Sequence, residues 1–296
     1  MRLVCFFSIL LNMAEQNKGK INQLHGLLDE GLLAPTWWLE EQGYSRSLLS
    51  QYVSSGWLTS PVRGVYRRPG PPLKWQYVVA SLQILAGMSL HVGGRTALVH
   101  RGLGHYLQLG GQETIYLYGS EVLPAWVDKL EVPERFVVRG DAMFGERLRV
   151  CRNGQGQLAA FDDKALEPGC LTGLGLQEMT WGNWDWRLLY SSNERAMFEV
   201  LQDVPARESV QEADVLMQGL SNLRPAVVMT MLENCRSVKV KRLFLALAER
   251  HQHQWFAHLD LARIYLGKGK RMLTPGGNLH PKYQITLPAD LDAYTR

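Results

Sequence analysis

The stretch from Tyr44 to Arg68 constrains the fold of this chain more than any other part of it. Ser45 predicts a helix N-terminus, because its hydroxyl can accept a hydrogen bond from a free N–H group of the next turn. The apolar residues that follow recur at helical spacing: Leu48, Leu49, Tyr52 and Val53. Gly56 ends the pattern. We therefore predict a short amphipathic helix with one buried face.

The polar face of this helix carries no carboxylate. It consists of small or hydrogen-bonding side chains: Arg46, Ser47, Ser50, Gln51 and Ser54. A helix that enters a groove walled by phosphates needs short side chains, donor groups and no negative charge. These five residues are therefore candidate DNA contacts. The alternative is a serine-rich helix face that is merely exposed to solvent.

A two-stranded ribbon is predicted directly after the helix. Trp57-Leu58 and Val65-Tyr66 are typical of short strands, joined through Ser60-Pro61 and Arg63-Gly64. The ribbon carries three candidate DNA contacts: Arg63, Arg67 and Arg68. For Arg63 and Arg67 we expect phosphate or minor-groove contacts.

Two more helices are predicted upstream. Residues 18–33 place leucines and an isoleucine on one face. Thr36 is a predicted N-cap for a short second helix, which Gly43 closes at a position suited to positive φ. Helices joined by a tight turn and followed by a basic ribbon predict a winged helix-turn-helix.

The charge distribution favours nucleic acid as the partner of this region. From Gln42 to Gln112 there is no Asp or Glu, and seven Lys and Arg residues give the span a charge of +7. The whole chain carries only +4, so the remainder is −3. At average usage, a span of this length would hold about seven acidic residues. A local positive field attracts phosphate whatever the base sequence, whereas a basic face that serves solubility normally mixes both signs.

Six segments of the chain, in this order, resemble the AbiEi-type antitoxins of type IV toxin–antitoxin systems. They are SRSLLSQYVSSGWL (45–58), RGVYRRPG (63–70), LKWQYVVASLQ (73–83), HVGGRTALVHRGLGHYL (91–107), VKVKRLFLALAERHQHQW (238–255) and KYQITLP (282–288). The resemblance implies a winged-helix transcriptional autorepressor, active in phage defence, fused to a C-terminal domain. It also implies two partners: double-stranded operator DNA with inverted repeats, and a nucleotidyltransferase-like toxin that is opposed without a stable complex being required.

The predicted fold class is α+β, with an N-terminal winged helix-turn-helix followed by a mixed α/β and helical C-terminal domain. The DNA-binding domain is assigned to residues 13–70, because Pro69-Gly70-Pro71-Pro72 is a stiff break. Residues 71–296 form the C-terminal antitoxin domain, mixed α/β to about residue 190 and mainly helical thereafter, with Ser191 as a predicted N-cap.

The first twelve residues are expected to be a mis-assigned leader, with Met13 as the natural start. Their apolar run has no small-residue cleavage site after it and is too short to span a bilayer. A signal or membrane segment is the alternative.

A second basic region lies near the C-terminus. Leu261 to Ala289 contains no acidic residue and five Lys and Arg residues, and a basic cluster precedes it at 239–242. We assign a candidate antitoxicity and partner surface to Lys239, Lys241, Arg242, Lys268, Lys270 and Arg271. A second DNA contact, a face for an acidic partner and a solvated basic face stay open as alternatives.

The sequence favours a binding protein without cofactor or metal over an enzyme. Its four cysteines are scattered without a C-x-x-C pair, which fits a reducing cytoplasm. Neither H-E-x-x-H, G-x-S-x-G nor a Walker A motif occurs. The competing hypothesis is a nucleic-acid-processing enzyme whose site lies among Asp162, Asp163, Glu178, His251, His253 and His258.

Overall fold

The structure, a computed structural model, describes residues 19–103, 112–152, 158–160 and 170–291. Residue contacts divide the chain into two compact units. The first unit comprises Met1–Ala86 with Ala125–Val132, and the second comprises Gly87–Pro124 with Pro133–Arg296. Both contain helices and strands, so the predicted α+β class is confirmed. Asp162, Asp163 and the predicted leader at 1–12 lie outside the described residues.

The first unit is a winged helix-turn-helix, as predicted. Its helices are α1 (described over 19–27), α2 (Thr36–Glu41), α3 (Arg46–Ser54) and α4 (Trp75–Ala80), which continues as a π-helical turn over Ser81–Leu85. Its strands are β1 (Ala34–Pro35), β2 (Thr59–Val62) and β3 (Val65–Arg67). They form an antiparallel sheet in the order β1-β3-β2.

The turn between α2 and α3 depends on a glycine. Gly43 has a φ of +84°, a conformation that side chains with a Cβ rarely adopt. Directly after it, the buried Tyr44 donates its hydroxyl hydrogen to the carbonyl of Lys20, at 3.0 Å. Apolar side chains from all three helices meet in one core: Leu24, Leu28, Leu39, Leu49 and Tyr52. The turn therefore fixes α3 against α1 and α2.

Two local predictions in this unit are wrong. Pro35, and not Thr36, is the N-cap of α2. The hydroxyl of Thr36 donates to the carbonyl of Gly64 at 2.9 Å, so it ties α2 to the turn of the wing instead. The first wing strand begins at Thr59 rather than Trp57. Trp57 is exposed, and only Leu58 of the predicted strand enters the core.

The first unit continues beyond Gly70 to Ala86. Leu33 donates its backbone N–H to the hydroxyl of Ser81 at 2.7 Å, and the Tyr77 ring lies against Gly31. Residues 71–86 are therefore packed on the winged helix, although the sequence-based division assigns them to the C-terminal domain. The functional division at residue 70 stays a prediction.

The second unit is built on a five-stranded sheet. Its strands are β4 (His91–Val92), β5 (Thr114–Tyr118), β6 (Arg135–Arg139), β9 (Leu176–Trp181) and β10 (Trp186–Ser191). The order is β6-β5-β4-β10-β9. Strand β4 is parallel to β10, β5 is parallel to β6, and the other pairs are antiparallel. A separate ribbon pairs β7 (Val150–Arg152) with β8 (Leu158–Ala160).

Helices dominate the second unit after residue 191. The helices of this unit are α5 (Gly94–His100), α6 (Cys170–Gly173), α7 (Asn193–Asp203), α8 (Val210–Gly219), α9 (Pro225–Asn234) and α10 (Val238–Arg250). A small ribbon of β11 (Asn278–Leu279) and β12 (Thr286–Leu287) ends the described chain. The centre is aromatic: the rings of Phe198 on α7 and Phe244 on α10 lie 4.4 Å apart. Within the described residues, no helix is long and apolar enough to cross a membrane.

Candidate nucleic-acid interface

The outward face of α3 displays the five side chains predicted for it. Arg46, Ser47, Ser50, Gln51 and Ser54 are all exposed. Leu49 and Tyr52 are buried on the opposite face. The predicted cap is present, since the Ser45 hydroxyl accepts from the N–H of Leu48 at 3.4 Å. The helix therefore presents a continuous donor-rich surface with no carboxylate of its own.

Arg46, the first residue of α3, is oriented by an acidic residue of α2. Its Nε donates to Oε1 of Glu40 at 2.7 Å, while its side chain remains 77% exposed. In the described part of the chain, its two terminal nitrogens make no hydrogen bond, so they remain available as donors. Sequence reasoning missed Glu40, because the polar face was read along α3 alone.

The three arginines of the wing lie in different surroundings. Arg63, at the turn, is exposed and has no partner among the described residues. Arg67 is buried, at 6% exposure, and its Nη2 donates to the carbonyl of Pro71 at 2.7 Å. Burial lowers its pKa. Arg67 is therefore a link inside the unit, and the prediction that it contacts DNA is wrong.

Arg68 is also held within the unit. It is half-buried, and its Nη1 donates to the carbonyls of His25 and Leu28 at 3.5 and 3.4 Å. These carbonyls belong to the C-terminal end of α1, where a cation is favoured by the helix dipole. Arg68 thus caps α1 in the structure, and its role as a DNA contact stays a prediction.

Two of the six residues predicted for the antitoxic surface are buried in the second unit, and a third, Lys239, is partly exposed. Lys239 donates its Nζ to the carbonyls of Gln202 and Val204, at 2.7 and 2.6 Å, at the end of α7. Lys241 is buried. The prediction for Lys241 is wrong, because the middle of α10 is buried. The assignment of Lys239 stays a prediction.

Arg242 is the second buried residue of this set. It is only 3% exposed, and its guanidinium donates to four carbonyl oxygens. These belong to Leu266, Gly269, Gln284 and Gly267, at 2.7, 2.6, 2.9 and 3.1 Å. Arg242 therefore organises the tail from beneath and is not part of its surface. Lys268, Lys270 and Arg271 are exposed and stay candidates.

Family comparisons agree with this arrangement. A model described as the N-terminal domain of the AbiEi antitoxin transcriptional regulators matches residues 17–109. A second, described as transcriptional regulator, AbiEi antitoxin, type IV toxin–antitoxin system, matches residues 173–288. This chain belongs to the AbiEi antitoxin family.

The AbiEi chain also resembles a solved structure in its fold. The crystal structure of the RV2827C protein from Mycobacterium tuberculosis superimposes with a TM-score of 0.51, at 16% sequence identity, over 92% of each chain. At this identity the likeness concerns the fold alone. No curated protein matches the sequence.

The second unit of this AbiEi chain contains a buried charged network centred on Glu199. The carboxylate accepts from Nε2 of His91 at 3.0 Å, the N–H of Gly94 at 2.8 Å, the hydroxyl of Ser191 at 2.7 Å and Nε of Arg195 at 3.0 Å. Burial raises the pKa of Glu199, but its partners outweigh burial and hold it below its ordinary value. Burial lowers the pKa of His91. The network therefore pairs a carboxylate with a guanidinium and a neutral imidazole.

This network corrects the predicted cap of α7. Ser192 is the N-cap, and its hydroxyl accepts from the N–H of Arg195. Ser191, one residue earlier, is fully buried and donates to Glu199 instead. Ser191, which was predicted to cap α7, therefore belongs to the buried charged network instead.

The rings of His251 and His253, both considered for a catalytic site, lie 5.9 Å apart, but they make different hydrogen bonds. Nε2 of His251 lies 2.8 Å from Oδ1 of Asp214, and Nε2 of His253 lies 2.8 Å from the carbonyl of Met217. His258 is exposed. Glu178 is exposed on β9 and lies 3.6 Å from Arg187. The residues that the structure describes include no group of three or more His, Cys, Asp and Glu that could hold a metal ion.

Proposed function

We propose that this AbiEi-family protein is an autorepressing antitoxin that binds operator DNA upstream of its own gene. In this proposal α3 is the recognition helix, and it carries no carboxylate that would repel a phosphate. The observation that carries the proposal is the exposed donor-rich face of α3, from Arg46 to Ser54. The acid-depleted span around it supplies the attractive field.

The side chains on this face suit base recognition in the major groove. In helix-turn-helix proteins, the N-terminal residues of the second helix contact base edges. Arg46 begins α3 and keeps both terminal nitrogens exposed, which is the fork that pairs with guanine. Gln51 can pair with adenine, and serines can bind either kind of edge. We propose Arg46 and Gln51 as the residues that read sequence, with Arg63 on the phosphate backbone.

The experiment measures binding of the Arg46→Ala protein to the DNA upstream of its gene and to random DNA of equal length. We expect a loss of about 1–3 kcal/mol on the operator and a much smaller loss on random DNA. Arg187→Ala, which removes an equally exposed arginine from β9, is the matched control and should change neither affinity. Equal losses on both DNAs would assign Arg46 to phosphate. No loss of affinity on either DNA would show that α3 does not enter the groove.

We further propose that the second unit opposes a nucleotidyltransferase-like toxin, and that the exposed tail residues Lys268, Lys270 and Arg271 belong to the antitoxic surface. The family description supports a toxin partner. Repression and protection should then be separable in the full chain. Arg46→Ala with Arg63→Ala should abolish repression of a reporter and still protect cells. Charge reversal at the three tail residues should spare repression and abolish protection; protection by the reversed, folded protein would contradict the assignment.

We propose that the protein acts by binding and not by catalysis, which the description of its family as transcriptional regulators supports. A nuclease assay with Mg²⁺ or Mn²⁺ tests this. Divalent-metal-dependent cleavage that is lost on replacing His251 would favour the enzyme hypothesis instead.

A further inference from the structure

The positive charges of the C-terminal tail fall into two groups. Arg263 pairs with Glu233, and Lys282 pairs with Glu249. The other three cations have no carboxylate partner among the described residues: Lys268, Lys270 and Arg271. Unpaired charge is therefore concentrated in five consecutive residues, Gly267–Arg271, which we call the basic loop.

The basic loop is held in a defined conformation from below. The guanidinium of Arg242 donates hydrogen bonds to the carbonyls of Leu266, Gly267 and Gly269, so these three oxygens point inward. At its far end, Arg271 donates its N–H to the carbonyl of Gln284 at 2.8 Å. The negative ends of these three peptide dipoles are therefore turned inward, while the cationic side chains of the loop are exposed.

The charge beneath the loop is also uncompensated. Arg242 binds only neutral carbonyl oxygens, and no carboxylate pairs with it in the part of the chain that the structure describes. Burial lowers the pKa of Arg242, and the positive charge of Arg271 lowers it further. A buried cation is normally paired. An external anion at the basic loop would provide the missing negative charge.

Two exposed apolar side chains flank the basic loop. Tyr265 is 69% exposed on one side, and Met272 is 77% exposed on the other. Aromatic rings beside a cationic track are the stacking platforms of proteins that bind single strands, because unpaired bases have free faces. A duplex offers phosphates but no free base face on which an aromatic ring could stack. Binding of an acidic protein surface would not require an aromatic ring beside the cations.

We propose that the basic loop binds the phosphodiester backbone of a single-stranded nucleic acid, with a base stacked on Tyr265. This deepens the proposed function by naming the ligand class of the exposed antitoxic surface. It does not depend on recognition of the operator by α3.

The test measures the anisotropy of a short fluorescein-labelled oligo(U) or oligo(dT) with the full-length protein over a range of salt concentrations. Lys268→Gln, Lys270→Gln and Arg271→Gln together should weaken binding about tenfold or more at low salt. They should also reduce the slope of log affinity against log salt concentration by about two units, since each phosphate contact to a single strand contributes about 0.7 to this slope. Arg263→Gln with Lys282→Gln removes two paired cations of the same tail. This control should leave the salt dependence unchanged.

The ring is tested separately. Tyr265→Ala should weaken single-strand binding about fivefold or more, and Tyr265→Phe should restore it, because stacking needs the ring and not the hydroxyl. Tyr265→Ala should leave binding to duplex of equal length unchanged. The triple variant should keep the affinity of the wild type for operator DNA, so a failure of operator recognition remains distinguishable from a failure of this inference.

Three results would overturn the proposal. The wild-type protein could fail to bind the oligonucleotide, the triple variant could bind it as well as wild type, or Tyr265→Ala could have no effect. Displacement of the oligonucleotide by poly-glutamate, with no contribution from Tyr265, would instead identify an acidic protein as the partner of this loop.

Discussion

Removing the Glu199 carboxylate should destabilise the second unit severely. Glu199 and Arg195 are both fully buried, and their side chains meet at 3.0 Å. The carboxylate also serves three further donors, on His91, Gly94 and Ser191. It therefore joins β4, α5, β10 and α7 at one point. Glu199→Ala removes all four acceptor contacts at once.

The expected magnitude follows from the partners that are left behind. Breaking a buried ion pair by removing one member costs about 3–5 kcal/mol, because the other charge stays buried. Asp141 lies 3.8 Å from Nη2 of Arg195 and compensates only in part. Each unsatisfied neutral donor adds about 1–3 kcal/mol, reduced wherever water can enter the space. We expect a loss of about 4 kcal/mol or more, against a total stability of about 5–15 kcal/mol for a typical domain.

Hydrogen exchange read peptide by peptide, together with urea unfolding, measures the effect within each unit. Peptides from α5, α7 and β10 should lose protection in Glu199→Ala, while those from α1 to α4 should keep it. Glu178→Ala is the matched control, because this glutamate is exposed and paired at 3.6 Å; exposed pairs contribute about 0–1 kcal/mol. A loss below about 1 kcal/mol for Glu199→Ala would refute the reasoning. So would an equal loss of protection in the first unit.

Three further predictions follow from individual groups. Arg63→Ala should reduce the slope of log operator affinity against log salt concentration by about one unit. Arg67→Ala should change this slope much less and should lower the stability of the protein instead. Equal slopes in the two variants would contradict this prediction. Burial raises the pKa of Glu194, but hydrogen bonds from its partners outweigh burial and lower it from 4.5 to about 2. The stability that this group provides is therefore complete above about pH 4.5 and lost as the pH falls toward 2, and Glu194→Gln should remove that part of the acid dependence. Burial raises the pKa of the Cys235 thiol to about 11, so iodoacetamide at about pH 8 should modify the exposed Cys170 and leave Cys235 unmodified in the native protein.

The elements that sequence predicted best are those that local groups determine. Ser45 caps α3, and both Gly43 and Gly56 adopt the positive φ that ends a helix. Strand β1 was missed, because Ala34–Pro35 has only two residues and forms only through its pairing with β3. Ser191 and Ser192 satisfy the same local capping pattern, and only the distant Glu199 decides between them. Such choices require tertiary contacts that no local window contains.

The basic residues were harder to assign, because a sequence shows how many charges are present but not which hydrogen-bond acceptors lie near each of them in the fold. Arg67 could have been predicted as interior. Val65 and Arg67 are two positions apart on β3 and therefore share a face, and Val65 is a core residue. Arg242 offered no such signal. Its four carbonyl partners come from residues 24 to 42 positions away, in two separate segments of the tail.

The hydrogen bonds of Arg67 and Arg68 do not weaken the electrostatic argument for DNA. Arg67 and Arg68 donate to carbonyl oxygens, which are neutral acceptors. A carboxylate would have cancelled their charge, whereas a carbonyl leaves it in place. Both arginines therefore still contribute to the positive potential of the winged helix within a Debye length of about 8–10 Å. Arg95 is different, because it pairs with Glu208 and Glu212 and adds little. The positive potential of the first unit thus depends on which acceptors its cations have, and by the same reasoning the pairing of Arg46 with Glu40 reduces the contribution of Arg46.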